Sequence, residues 1–142
     1  MVFVLSIKAS FSISKPFITD GCTFFIDGIP NTTTQWKTCC IKHDFRYWVG
    51  GTSKIMDYSD QELSRCIRTK TNSVISSIVY FGVRLGHYSP IKNKYKWNWS
   101  RANPSSNITS SELIKIKNNF EKYVSDDPQS LKDFLKIYLM NN

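Results

Sequence analysis

Trp36-Lys37-Thr38-Cys39-Cys40-Ile41-Lys42-His43-Asp44-Phe45-Arg46-Tyr47-Trp48-Val49-Gly50-Gly51 is the stretch on which the reading of this chain turns. Trp36, Cys39, Cys40, His43 and Tyr47 recur three or four residues apart, which puts side chains on one face of an α-helix. The spacing predicts a helix from Gln35 to about Trp48. Thr32-Thr33-Thr34 offer N-cap oxygens ahead of it, and Gly50-Gly51 ends it. Two adjacent cysteines and a His-Asp dipeptide on one short helix are where chemistry is first to be sought.

Downstream, a second helix starts somewhere in 52–58, with Asp57 or Ser59 as cap, and places Asp60, Leu63, Cys66 and Ile67 on one face. It continues through Val74, Ile75, Ile78 and Val79 to Phe81, with a break expected at 69–73. Gly82, Gly86 and Ser89-Pro90 are expected to end regular structure. Thr109 with Glu112 makes a capping box ahead of the stripe Leu113, Ile116, Phe120 and Tyr123. Asp127-Pro128 opens a last helix carrying Leu131, Phe134, Leu135, Tyr138 and Leu139. These two read as a helical hairpin whose stripes serve the core.

Upstream, residues 15–35 are punctuated by Pro16, Asp20-Gly21, Asp27-Gly28 and Pro30 and read as loop. Residues 1–14 hold an apolar run from Val2 to Leu5 without a charged start. They are read as a weak or truncated export signal, with an N-terminal arm as the alternative.

The 142 residues suit one domain with one core. No stretch reaches the roughly 20 apolar residues of a membrane span. The net charge of +8 favours anionic partners, among them a membrane surface, whereas no recognisable nucleic-acid reading motif is present. Adjacent Cys39 and Cys40 do not readily bond to each other. Two bridges would therefore pair Cys22 with one of them and Cys66 with the other, which implies an oxidising, extracytoplasmic compartment.

If the two central helices run antiparallel in the register that bridges Cys39 to Cys66, His43 lies ~6 Å beyond Cys39 and Asp60 ~9 Å before Cys66. That register brings His43 and Asp60 together. A histidine held by a carboxylate is a general base, and no serine is placed by a local motif as nucleophile, so water is the expected attacker. Asp44 points beside His43 on the helix. With backbone carbonyls of the loop 20–28 it offers the oxygen donors a hard cation takes.

W-x2-CC-x2-HD-x2-Y-x2-GG followed by D-x5-C, read here from Trp36 to Cys66, resembles the core of the secreted phospholipase A2 superfamily. Asp20-Gly21-Cys22 with Asp27-Gly28, and Tyr80-Phe81-Gly82-Val83-Arg84, are similar to a bacterial branch of it. The resemblance implies a mostly α fold whose core, within residues 15–104, is two antiparallel disulfide-linked helices. Residues 105–142, the helical hairpin, form a C-terminal extension with no counterpart. It implies that Cys39 bridges Cys66 and Cys22 bridges Cys40. It also implies that His43 activates water, that Asp60 pairs with the other ring nitrogen, that Tyr47 donates to Asp60, and that Asp44 binds calcium. The implied activity is calcium-dependent hydrolysis of the sn-2 ester of glycerophospholipids. Tyr95, Trp97 and Trp99, interleaved with lysines, are the expected contacts with a lipid interface.

One departure is plain: the usual Cys-Gly-x-Gly-Gly calcium loop is replaced by Cys22-Thr23-Phe24-Phe25-Ile26-Asp27-Gly28. The carbonyl at Cys22 and the carboxylate of Asp27 are the candidate ligands there beside Asp44. Two rival readings remain at this point. One is a non-catalytic lipid- or protein-binding module on the same fold. The other is a zinc site drawing on Cys39 or Cys40, His43 and Cys66. His87 reads as a loop residue, Asp57 and Glu62 as helix-surface charges.

Overall fold

The computed structural model describes residues 16–19, 21–22, 36–50, 52–88, 109–124 and 128–140. Five helices account for most of them: α1 (Lys37–Val49), α2 (Ser53–Lys70), α3 (Ser73–Tyr88), α4 (Ser110–Val124) and α5 (Pro128–Met140). No strand occurs among the described residues. None of these helices is long and apolar enough to cross a membrane.

The ends of α1 differ from expectation at one side only. Its N-cap is Trp36, with no side-chain cap. The Trp36 carbonyl accepts from the amides of Cys39 and Cys40 instead. Thr32–Thr34 lie outside the described residues. Gly50 closes the helix at φ 74°, a conformation that L side chains resist, and its N–H returns to the Arg46 carbonyl at 2.9 Å.

α2 begins earlier than Asp57 or Ser59 would allow. Thr52 is the cap, its hydroxyl accepting from the Ile55 amide. Ser59 instead sits buried within the helix, its hydroxyl donating to the Ile55 carbonyl at 2.7 Å. The expected break falls at Thr71 and Asn72. Asn72 Oδ1 accepts from the amides of Val74 and Ile75, both at 3.0 Å, and so starts α3. α3 folds back on α2, joined by Ser64 and Ser76 hydroxyls 2.7 Å apart.

α3 does not stop at Gly82. It runs through Gly82 and Gly86 to Tyr88, so His87 belongs to a helix rather than a loop. Each interior glycine costs about 1 kcal/mol against alanine. Docking on α2 through Val79, with Ile75 and Val83 packed alongside, offsets that cost.

The expected capping box opens α4. The Thr109 amide donates to Glu112 Oε2 at 2.8 Å, and the Glu112 amide donates back to Thr109 Oγ1. Pro128 occupies the first turn of α5. Ile116 and Phe120 of α4, with Phe134 of α5, join Phe17, Phe45, Trp48 and Ile55 in one buried cluster. The described helices within residues 105–142, α4 and α5, thus pack into the core. Their described apolar side chains cover α1 directly, with Phe45 edge-on to Phe120 and to Phe134.

Candidate functional site: a buried His–Asp pair between stapled helices

Helical spacing sends Cys39 and His43 towards α2, where Leu63 and Cys66 share the facing side. Both bridges form: Cys39 to Cys66 and Cys22 to Cys40, with Cα separations of 5.8 and 5.1 Å. No cysteine is left free. The zinc reading is thereby overturned, because a sulfur in a disulfide is no thiolate ligand.

In this register His43 Nε2 lies 2.8 Å from Asp60 Oδ1. Tyr47, one turn after His43, donates to the same oxygen at 2.6 Å, its ring 4.4 Å from the imidazole. Asp60 is fully buried, and a buried carboxylate must be paired or become neutral. A third donor comes from α3. Arg84 Nη1 reaches Asp60 Oδ2 at 3.0 Å and Asp57 Oδ1 at 2.5 Å. Both oxygens of Asp60 are thus occupied by donors that favour the ionised form.

The proton affinities follow. Burial works to raise the Asp60 carboxyl, but hydrogen bonds from His43, Tyr47 and Arg84 hold it below the usual carboxylate range. Burial lowers the proton affinity of His43, outweighing the pull of Asp60 in the other direction. Burial also raises the Tyr47 hydroxyl, reinforced by the Asp60 charge, so it remains a donor. The hydrogen bonds to Asp60 and Asp57 raise Arg84, which stays charged. An ionised Asp60 beside a neutral His43 fixes the tautomer: Nε2–H donates to Asp60, and Nδ1 keeps its lone pair.

Asp44, half-buried, faces the N-terminal stretch. Thr19 Oγ1 donates to Asp44 Oδ2 at 2.7 Å and itself accepts from the Gly21 amide. Gly21 sits at φ 84°, and Cys22 next to it is fastened to Cys40. The carboxylate thus lies against the segment pinned by the Cys22–Cys40 bridge, and a carboxylate oxygen is the donor type a hard cation takes. Among the described residues, no three His, Cys, Asp or Glu side chains gather around a common point. Asp27, Tyr95, Trp97 and Trp99 lie outside the described residues.

A cleft of about 410 Å³ opens beside the Cys39–Cys66 bridge, lined by Lys42, Arg46 and Arg65 with Glu62 and Asp133. It contains neither His43 nor Asp60. Two residues of the site were not anticipated from sequence. Thr19 gave no signal. Arg84 did stand out: it is the lone charge in the sixteen residues of α3, though its partner could not be read from that.

No family model, curated protein or solved structure matches this chain.

Proposed function

We propose that the chain is a phospholipase A2-like ester hydrolase acting on glycerophospholipids outside the cytoplasm. The observation that carries the reading is the His43–Asp60–Tyr47 arrangement between two bridged helices. Asp44 is the next residue after the base.

In this reading His43 Nδ1 takes a proton from water as the water oxygen attacks the ester carbonyl carbon. Asp60, already ionised, stabilises the imidazolium that forms. The carbonyl carbon to alkoxide oxygen bond then breaks. The imidazolium returns its proton to the leaving alkoxide, giving a fatty acid and a lysophospholipid. Tyr47 and Arg84 act through Asp60 and are positioning residues. Asp44 with carbonyls of the 20–28 loop is the set that would hold calcium. A bound calcium ion supplies positive charge to the ester carbonyl oxygen. Two disulfides in a chain of this size support an oxidising compartment.

The test is incubation of the chain with vesicles of defined phospholipids, with calcium or with chelator. Equimolar fatty acid and lysophospholipid, in calcium only, is the expected result. Binding to the vesicles with no product under either condition would favour the non-catalytic module.

A further inference from the structure

α3 is apolar on two opposite sides. Ile75, Val79 and Val83 pack on the α2 side. Val74, Ile78, Phe81 and Leu85 recur at three or four residues on the far side, and are 66, 54, 63 and 73% exposed. These four are most of the large apolar side chains exposed among the described residues. They line one open, shallow surface with Ser73, Ser77 and Gly82, running ~16 Å along the helix. An amphipathic helix that only served the core would be polar there.

The charge pattern says what this face meets. From Leu63 to Ser111 the chain holds eight Lys and Arg and no Asp or Glu, whereas the remaining residues hold eleven of each. The whole excess of +8 therefore resides in one acid-free stretch with α3 inside it. Arg68 and Lys70, both exposed, close α2 just before α3 begins. Nucleic acid would match the charge but has no use for a row of Val, Ile, Phe and Leu. A second copy would match the apolar row but bring the same positive excess against it. An anionic lipid surface matches both, taking apolar side chains below the headgroups and cations at their level.

We infer that the outer face of α3, through Val74, Ile78, Phe81 and Leu85, is the surface by which this protein docks on anionic bilayers. The inference rests on the lipid reading above and deepens it, but docking needs no turnover, so the two fail separately.

The experiment is flotation of the full chain with vesicles of phosphatidylcholine alone, or of equal parts phosphatidylcholine and phosphatidylglycerol. Wild type binds the mixed vesicles and binds the neutral ones weakly. Phe81→Ser with Leu85→Ser lowers binding to mixed vesicles about tenfold or more, with far-UV spectrum and Tm unchanged because both side chains are exposed. Arg68→Glu with Lys70→Glu weakens binding to the mixed vesicles only. Ile114→Ser, an exposed apolar position on α4, changes nothing. Wild-type binding by the Phe81/Leu85 variant overturns the inference. So does a wild-type chain that ignores both vesicles, whether it stays monomeric or forms a dimer, seen by sedimentation, which that variant dissolves. A chain that docks but releases no fatty acid would sink the hydrolase reading and leave this one standing.

Discussion

The two sides of α1 are held by opposite chemistry. Towards α4 and α5, Phe45 and Trp48 pack into rings and aliphatic side chains, and the contact is nondirectional. Towards α2, His43 and Tyr47 meet a buried carboxylate through bonds of 2.8 and 2.6 Å. One side is apolar packing; the other holds a buried carboxylate in fixed hydrogen-bond geometry. Apolar burial tolerates shifts and contributes roughly in proportion to area. A buried ionised Asp60 tolerates none, because each donor lost leaves charge uncompensated in a dry interior. The apolar side and the two disulfides hold α1 still, and the polar side uses that rigidity.

Substitutions can break this division, here in order of expected effect on stability. Phe45→Ala on the apolar side should cost about 3–5 kcal/mol in denaturant unfolding. Hydrolysis per folded molecule should be almost unchanged. Replacing Cys39 and Cys66 together by Ala should cost about 2–4 kcal/mol and, unlike Phe45→Ala, also lower turnover, because the register of His43 and Asp60 is loosened. Arg84→Met should cost about 1–3 kcal/mol by removing a donor to a buried charge. It should lower kcat about tenfold with little change in KM, and Arg84→Lys should recover part of the loss.

The smallest effect is on pH dependence. His43 binds its proton less readily folded than unfolded, so stability falls as pH drops below about 6.5, where only the unfolded chain takes up that proton. Asp60 is depressed, so its contribution is present above about 3.9 and is lost as pH falls through the lower folded value. Urea unfolding from pH 7 to 3 should show both declines, and His43→Gln should remove the first.

The α1–α2 pair was legible in the sequence because a helical period and two cysteines constrain each other. One register accounts for Cys39 with Cys66 and for His43 with Asp60. The ends of elements were less legible. Thr52, behind two glycines, looks like turn, yet it caps α2. Gly82 looks like a stop, yet packing against α2 carries α3 past it. Arg84 meets Asp60 across the Thr71–Asn72 turn, a contact that local spacing does not encode. The stripe of α4 was evident, but a stripe does not say what covers it. That it is Phe45, on the back of the helix bearing His43, emerges only from the fold.

If the polar side of α1 serves catalysis, His43→Gln is the substitution that shows it. Gln keeps a donor for Asp60 but has no basic nitrogen. Unfolding and fatty-acid release should be measured on one preparation. Stability should stay within about 1 kcal/mol of wild type, with fatty-acid release down about 10²–10⁴-fold. Release at the wild-type rate from the folded variant would contradict it.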